Sequence, residues 1–329
     1  MLILNRHDVS ASLSHAQCVD VVESAMKSVS QRNVVMPLRQ FIGIPQTKGK
    51  FTMMPGYIQD PKCFGVKLVS KYPPVEGSEL GSHIGAVMVF DADTGVPKAL
   101  LDGGELTAIR TSAASALATK VLARKESKTL TVMGYGDEAW HHILAILAVT
   151  KLDKIIIWGR SCERATKLIE KCQSSPKVAD NIEIVFEIDA QAAVSVADIV
   201  CTVTSSTQPI LEGKWLQPGT HVNLVGAAIR TSSEADSDVV TRAKFYIDYK
   251  ESAMAQAGEL LDAIDAGLID ENHIVGEIGD VLLGNSPGRE SGQEITVYKS
   301  LGVSAQDLAA GVCAFNNAMD NNIGVSIDW

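Results

Sequence analysis

The sequence predicts an α/β protein that combines a doubly wound parallel sheet with a discontinuous α+β domain. From residue 129 onward, buried β-type runs alternate with helical segments, which is typical of βαβ units and a parallel sheet. Residues 33–102 instead contain short β-type runs separated by Gly, Pro and polar turns. The length of 329 residues suits two domains rather than one.

The first domain is predicted to begin with a helix and to continue as a sheet. Apolar residues recur at helical spacing over 13–32, which indicates an amphipathic helix. Four β-type runs follow, with the sequences FIGIP, KFTMMPGYI, CFGVKLVSKY and HIGAVMVF. The turn-forming segment 91–97 separates the last run from KALLD and indicates a hairpin. We therefore expect an antiparallel or mixed sheet.

The second domain can be followed element by element. The predicted strands are TLTVMGYG, KIIIWGR, IEIVFEI, DIVCTVTS, THVNLVGA and FYIDYK. The helices DEAWHHILAILAVT and ERATKLIEKC follow the first and the second of these strands.

Two helices define the expected domain boundaries. The Ala-rich segment 104–124 is predicted to be a closely packed helix that leads out of the first domain. The segment from 304 has an apolar helical face but follows the end of the alternating pattern. We expect this last helix to return to the first domain. Residues 1–115 and 304–329 then form the discontinuous domain, and residues 116–303 form the parallel-sheet domain.

The composition argues against several classes of protein. The net charge of −10 disfavours a general nucleic-acid or anionic-membrane surface. The six cysteines are scattered without a CxxC pair, which is typical of reduced thiols. No apolar run reaches the roughly 18 residues needed to cross a bilayer, so we expect a cytoplasmic protein. The seven histidines form no HxH or HExxH pattern, and no metal site is predicted.

A glycine-rich turn is the sharpest local motif. It follows an apolar strand, opens a helix and reads Gly134-Tyr135-Gly136-Asp137-Glu138-Ala139. In a dinucleotide fingerprint the first glycine permits the tight turn, the second lets the backbone approach the pyrophosphate, and the third position needs a small side chain. The helix N-terminus then faces the phosphates. An ordinary strand-to-helix turn is the alternative, but the βαβ setting favours a Rossmann cofactor site.

The end of the second strand indicates which cofactor is bound. An enzyme that uses NAD usually has an Asp or Glu there for the ribose 2′-hydroxyl. This strand ends in Gly159, Arg160 and Ser161, with no acid. Arg160 and Ser161 are therefore predicted to hold a 2′-phosphate, with NADPH preferred and NADH possible. The alternative is that Arg160 is a solvated arginine at a strand end.

Three cations are candidates for binding an anionic substrate. Lys67 lies within an apolar strand, where its head needs solvent, a partner or a ligand, although a lysine at a sheet edge would look the same. Arg110 lies among small residues of the Ala-rich helix, which suggests a bidentate carboxylate ligand or a structural salt bridge. Arg39 is the third candidate.

The sequence resembles the ornithine cyclodeaminase/mu-crystallin family over nearly its whole length. The resemblance is carried by short motifs, of which the RTSAA helix and the EITVYKSLG segment are the most specific. The motifs are Met36-Pro37-Leu38-Arg39, Gly65-Val66-Lys67, Ser82-His83-Ile84-Gly85-Ala86-Val87, Asp93-Thr94-Gly95, Leu106-Thr107-Ala108-Ile109-Arg110-Thr111-Ser112-Ala113-Ala114, the Gly134 loop, Glu277-Ile278-Gly279-Asp280-Val281, Pro287-Gly288-Arg289 and Glu294-Ile295-Thr296-Val297-Tyr298-Lys299-Ser300-Leu301-Gly302.

The resemblance implies both an assembly and a site. It implies a homodimer formed through the N-terminal domain, which would also bind the substrate. It implies that Arg39, Lys67 and Arg110 surround a substrate α-carboxylate, and Ser82 or His83 is expected to hydrogen-bond the substrate. Family enzymes transfer a hydride between a nicotinamide and an amino acid or its imine. They include ornithine cyclodeaminases, alanine dehydrogenases and ketimine reductases, and one vertebrate member binds thyroid hormone.

One departure from the family pattern helps to choose an activity. Cyclodeaminases carry an Asp after the strand that matches 223–227, where this sequence has Ala228. A methyl group cannot activate water, so ring closure with loss of ammonia is disfavoured. The expected reaction is NAD(P)H-dependent reduction of a cyclic ketimine carboxylate, with Lys67 and Arg110 as its catalytic residues. Δ1-Pyrroline-2-carboxylate giving L-proline is the first choice, and Δ1-piperideine-2-carboxylate giving L-pipecolate follows. The alternatives are an ornithine cyclodeaminase, an alanine dehydrogenase and a non-catalytic small-ligand binder.

Overall fold

The protein divides into two compact units. The structure, a computed structural model, describes residues 1–72 and 83–328. Unit 1 comprises Met1–Arg110 and Val303–Trp329, and unit 2 comprises Thr111–Gly302. The first boundary therefore lies inside the Ala-rich helix, slightly before the position expected from the sequence.

Unit 1 is built from a sheet and a few helices. Its helices are α1 Arg6–Ser12, α2 His15–Ser30, the first part of α3 Gly103–Leu122, and α11 Ser304–Asn321. Its strands are β1 Leu2–Leu4, β2 Val34–Val35, β3 Gln40–Gly43, β4 Lys50–Ile58, β5 Cys63–Lys71, β6 His83–Asp91, β7 Pro97–Asp102 and β16 Val325–Ser326.

The sheet of unit 1 is mixed, as the sequence predicted. Its order is β16-β1-β7-β6-β5-β4-β2, and β3 also pairs with β4. Among the described strand pairs of this sheet, only β1–β7 is parallel. The C-terminal helix α11 packs on β4, β5, β6 and β7 and also contacts α2, so the core of unit 1 lies on this face of the sheet. Residues from the two ends of the chain thus share one core.

The first predicted helix starts later than expected. The apolar spacing predicted a helix from residue 13, but α1 ends at Ser12 and α2 begins at His15. Ser14 has an extended backbone, and its side chain accepts a hydrogen bond from the backbone N–H of Gln17. A serine in this arrangement is a helix N-cap, so the break follows from capping chemistry rather than from the hydrophobic pattern.

Unit 2 contains the predicted alternation of strands and helices. Its strands are β8 Thr129–Met133, β9 Lys154–Trp158, β10 Glu183–Glu187, β11 Ile199–Thr202, β12 His221–Leu224, β13 Lys244–Ile247, β14 Ile274–Glu277 and β15 Thr296–Lys299. Besides the rest of α3, its helices are α4 Asp137–Val149, α5 Cys162–Gln173, α6 Ala190–Ser195, α7 Ser237–Arg242, α8 Lys250–Gln256, α9 Gly258–Asp265 and α10 Ile278–Leu283.

The sheet of unit 2 is parallel and doubly wound, which confirms the predicted fold class. Its order is β10-β9-β8-β11-β12-β15-β13-β14, and every pair in it is parallel. The chain runs outward from β8 to β10 and then restarts on the other side at β11. This reversal places a topological switch point between the carboxyl ends of β8 and β11, where open α/β sheets bind their ligands.

No helix in the described part of the chain has the length and apolarity needed to span a bilayer.

Candidate active site

Lys67 is a buried cation in unit 1. Alternate side chains of β5 point to opposite faces of the sheet, and Cys63, Gly65 and Lys67 are the buried set. Only 4% of Lys67 is exposed, and its Nζ lies 3.0 Å from Oδ1 of Asp307 in α11. Lys67 therefore has an ionic partner inside the unit and is not a solvated lysine at a sheet edge.

Arg110 shares that partner. Its Nε lies 2.8 Å from the same Oδ1 of Asp307, and its Nη1 donates to Oε1 of Gln306 at 3.0 Å. All three side chains are buried. These two bonds fix the plane of the guanidinium and do not involve Nη2. Arg110 is thus held rigidly by α11, which suits a group that must meet a planar carboxylate in one orientation.

The electrostatics of this group follow from burial and from charge. Burial lowers the pKa of Lys67 to about 7, the charge of Arg110 adds to the decrease, and Asp307 opposes it. The charge of Arg39 also lowers this pKa, so Arg39 acts on the same lysine. Burial alone would raise the pKa of Asp307, but the nearby Arg110 and Lys67 outweigh it and lower that pKa. Asp307 is therefore an ionised counter-ion.

The group carries an excess of positive charge. When Lys67 is protonated, one carboxylate faces two buried cations. Uncompensated charge in a protein interior is costly, so an anionic ligand stabilises the arrangement. Oδ2 of Asp307 is also buried, and it has no hydrogen-bond partner in the described part of the chain. A buried acceptor of this kind indicates that the site accommodates a further donor.

Sequence reasoning missed Asp307 and Gln306. Both lie in the first turns of α11, in the segment SAQDLAAGV, whose residues are almost all buried. The signal available was an acidic residue among small apolar residues, since an unpaired carboxylate is seldom buried. That signal gives no partner, because Lys67 and Asp307 are 240 residues apart in the chain.

The structure describes the other three predicted substrate-binding residues, Arg39, Ser82 and His83, only in part. Arg39 directly precedes β3 and is half-buried. Ser82 lies outside the described residues. His83 begins β6, where its backbone pairs with Lys71, but its side chain is not among those described.

The glycine-rich turn of unit 2 fits a dinucleotide pyrophosphate. Gly134 follows β8 with φ of +135°, and a Cβ there would lie 2.9 Å from the carbonyl oxygen of Val203. Gly136 is the N-cap of α4 without a side-chain cap, and a Cβ there would meet nothing within 4 Å. Ala139 is fully buried in the first turn of the helix. The backbone thus leaves open space at a helix N-terminus, where phosphate groups bind. Asp137 and Glu138 also lie in that first turn.

The end of β9 presents arginines at the surface. A Cβ at Gly159 would collide with the ring of Tyr135, so the glycine makes room for this tyrosine beside the turn. Arg160 and Arg164 are exposed. Ser161 caps α5 by accepting a hydrogen bond from the backbone N–H of Arg164 at 3.4 Å, which leaves its hydroxyl proton to donate elsewhere. These groups fit a phosphate monoester.

Among residues 1–72 and 83–328, no three His, Cys, Asp or Glu side chains are grouped so that they could hold a metal ion.

Comparisons with known proteins identify the family. The model of the ornithine cyclodeaminase/mu-crystallin family matches residues 1–322. A Δ1-pyrroline-2-carboxylate reductase of Bacillus cereus is 31% identical over 332 residues, and the match covers 100% of both chains. A solved structure of the Thermococcus litoralis Δ1-pyrroline-2-carboxylate reductase, in complex with NADH and L-proline, is 32% identical with a TM-score of 0.94. It covers 99% of this chain and 100% of that one.

An archaeal alanine dehydrogenase, solved as a dimer with bound NAD, is also similar. It is 28% identical with a TM-score of 0.91, and the match covers 100% of this chain and 99% of that chain. The family match extends over nearly all of the sequence, and it includes the strands and helices that carry Lys67, Arg110 and the Gly134 turn. The chain belongs to the ornithine cyclodeaminase/mu-crystallin family.

Proposed function

We propose that this protein reduces a cyclic ketimine carboxylate to the corresponding L-imino acid with NADPH. The preferred substrate is Δ1-pyrroline-2-carboxylate and the product is L-proline, with the six-membered homologue as a second substrate. The observation that carries the proposal is the buried group of Lys67, Arg110 and Asp307, which has both a net positive charge and a lysine that titrates near neutral pH. The names of the Bacillus and Thermococcus relatives support the same reaction.

The positive charges hold the carboxylate of the substrate. Arg110 contributes Nη2, the nitrogen that its bonds to Asp307 and Gln306 do not use. Arg39 contributes a second positive charge close to Lys67. The guanidinium of Arg110 is thereby fixed before the substrate binds, which reduces the entropy lost on binding.

Lys67 supplies the proton that the imine requires. With a pKa of about 7, it is present in both protonation states near neutral pH and can pass a proton to the ring nitrogen. The protonated imine is the stronger electrophile. A bound nicotinamide supplies the hydride to the imine carbon, so one hydride and one proton convert the C=N bond into CH–NH. Asp307 keeps the Nζ of Lys67 in place throughout.

The preference for NADPH rests on the end of β9. No acid occurs at residues 159–161, and Arg160 is exposed beside the N-cap Ser161. Arginine binds a phosphate through two parallel hydrogen bonds, so a 2′-phosphate gains a contact that a 2′-hydroxyl does not. The Thermococcus relative was solved with NADH. We propose a preference for NADPH because of Arg160 and the missing acid, and acceptance of NADH because the relative binds it.

Ala228, in the segment that follows β12, argues for imine reduction rather than cyclisation of ornithine. Ala228 is half-buried and carries no group that can exchange protons. Cyclodeamination needs such a group beside the amine, whereas reduction of a closed ring begins from an electrophilic carbon.

A substrate panel tests the proposed function. The purified protein should oxidise NADPH with Δ1-pyrroline-2-carboxylate and more slowly with Δ1-piperideine-2-carboxylate. It should form no proline from L-ornithine with catalytic NAD⁺, and no alanine from pyruvate, ammonia and NADPH. Proline from ornithine at a comparable rate would establish a cyclodeaminase. Tight binding of the ketimine without turnover would establish a binding protein instead.

A second copy of this chain is the proposed partner of unit 1. The face of the unit 1 sheet opposite α11 carries apolar residues that are more than a third exposed, including Ile42, Phe64 and Ile84. Phe64 stacks on Phe90 across β5 and β6, with ring centroids 5.0 Å apart. Exposed apolar surface of this kind is typical of a protein interface. The archaeal alanine dehydrogenase is described as a dimer.

Light scattering coupled to gel filtration tests this assembly, with a homodimer expected. Phe64→Glu should shift the protein towards monomer, whereas the exposed Leu268→Glu in unit 2 serves as the control. A wild-type monomer at micromolar concentration would contradict the proposal.

All six cysteines are unpaired, which supports a cytoplasmic location.

A further inference from the structure

Unit 2 contains a buried carboxylate that ties together the ends of two neighbouring strands. Glu234 is fully buried. It accepts hydrogen bonds from Thr202 Oγ1 at 2.8 Å, from the backbone N–H and the hydroxyl of Thr204 at 2.7 Å each, and from the backbone N–H of Gly226 at 2.7 Å. The backbone N–H of Ala227 donates at 3.3 Å. One side chain therefore holds both segments that leave β11 and β12.

A second buried pair supports the same segment from the other side. Lys299, at the end of β15, is fully buried and lies 2.9 Å from Oε2 of Glu259. Its Nζ also donates to the carbonyl oxygen of Ala227 at 2.5 Å. Glu259 in turn accepts from the backbone N–H of Glu234 at 2.9 Å. Both backbone polar groups of Ala227, the residue before Ala228, are thus held by buried charged side chains.

The network around Glu234 lies at one edge of the parallel sheet. Thr202 and Leu224 are the last residues of β11 and β12, so Glu234 lies at the carboxyl edge of the sheet. In doubly wound sheets a dinucleotide lies across this edge, with one mononucleotide over each half of the sheet. The Gly134 turn and Arg160 follow β8 and β9, which form one half. The strands β11 and β12 form the other half.

We propose that Glu234 is a positioning residue that shapes the surface for the nicotinamide half of the cofactor. This inference rests on the proposed function, because it requires a dinucleotide in the site. Close approach of the backbone at this place is visible at Gly226, where a Cβ would lie 2.6 Å from Oε1 of Glu234 and would collide with the carbonyl oxygen of Thr204. The two segments therefore pack through backbone atoms, and Glu234 joins them.

The acceptor chemistry requires a carboxylate. Every group that faces Glu234 is an N–H or O–H donor, and an ionised carboxylate has acceptor sites only. A glutamine has the same shape but turns an NH2 group towards some of these donors. Burial raises the pKa of Glu234 above its ordinary value, and the Thr204 donors and the charge of Lys299 only partly oppose this increase.

The test compares a whole cofactor with its adenine half. The binding of NADPH and of adenosine 2′,5′-bisphosphate, which lacks the nicotinamide half, is measured by calorimetry on the full-length protein. For Glu234→Gln we expect the Kd of NADPH to rise about tenfold, as for a charge-assisted hydrogen bond left unmade, and the Kd of the adenine half to change less than about twofold. Thr202→Val removes one donor without changing shape and should show a smaller effect in the same direction.

Asp198 provides a matched control at the opposite edge of the sheet. Its Oδ2 accepts from the backbone N–H groups of Lys128 and Thr129, at 2.8 and 3.0 Å, at the start of β8. Asp198→Asn should lower the melting temperature without separating the two Kd values.

The possible outcomes are distinct. Equal weakening of both ligands by Glu234→Gln and by Thr202→Val would show a general structural role and overturn the inference. If Glu234→Gln does not fold, the ratio measured for Thr202→Val decides between the two results. Wild-type protein that binds neither ligand would instead contradict the proposed function itself.

Discussion

The two units present positive charge by different physical means. In unit 1 the positive charge belongs to long side chains, Lys67 and Arg110, which are buried and oriented by the carboxylate of Asp307. In unit 2 the Gly134 turn offers the N-terminus of α4, where the backbone itself is the positive end of a dipole. Unit 1 can therefore change its charge with pH, because a lysine titrates, whereas a backbone turn cannot.

The difference between the units predicts that unit 1 side chains dominate the chemical step. Replacing Lys67 by Met keeps its length but removes the proton donor, and kcat should fall about a thousandfold, a loss typical of a missing general acid. NADPH oxidation with saturating Δ1-pyrroline-2-carboxylate measures this effect. Lys71→Met, at the exposed end of the same strand, is the matched control and should keep near-native kcat. A mild effect at residue 67 would assign Lys67 to charge balance alone.

Substrate anchoring should be the next largest effect. Arg110→Lys keeps the charge but cannot contact Asp307, Gln306 and a carboxylate at once. We expect kcat/KM for the ketimine to fall about 30-fold, equivalent to roughly 2 kcal/mol of transition-state binding. Arg6→Lys is a suitable comparison, because Arg6 also pairs with a carboxylate of unit 1, Glu105, but is half-exposed. Native efficiency in Arg110→Lys would mean that this arginine serves packing only.

Cofactor selection in unit 2 should show a smaller change that is confined to one ligand. Arg160→Ala should raise the KM for NADPH about tenfold, since a charge-assisted contact to the 2′-phosphate is lost, and should leave the KM for NADH within about twofold. Steady-state kinetics with each cofactor give both values. Lys151→Ala, on the exposed segment before β9, controls for loss of surface charge. Equal changes for both cofactors would remove the basis for the NADPH preference.

The smallest expected effect is a displacement of the pH profile. Because Lys67 is the proposed acid, kcat should decrease as the pH rises through about 7, where the lysine loses its proton. Asp307 raises this pKa, while Arg110 and Arg39 lower it. In Asp307→Asn the raising influence is gone, and the descending limb should move to lower pH. A limb that stays in place or moves to higher pH would show that another group controls the titration.

What could be predicted from the sequence depended on whether the signal lay within a short stretch of the chain. The family, the fold class and the alternation of unit 2 were predicted and are confirmed, because periodicity and glycine turns are local signals. Ser14 is an equally local signal that the hydrophobic pattern obscured. Asp307 could not be assigned, because its partners come from β5 and α3, and no spacing rule connects residues so distant in the chain. The Glu234 network was also missed, because its donors lie in separate loop segments that no spacing rule connects to Glu234.

The location of Asp307 near the end of the chain has a consequence for biosynthesis. Lys67 and Arg110 leave the ribosome long before their counter-ion, since α11 is made only after all of unit 2. Until then, folding of unit 1 would bury two cations without their carboxylate, which is strongly unfavourable. We expect unit 2 to fold first during translation and unit 1 to close only when α11 emerges, in contrast to the usual order in which the N-terminal part folds first. A chain truncated after residue 302 and released from the ribosome should accordingly be protease-sensitive in its first 110 residues and protected beyond them.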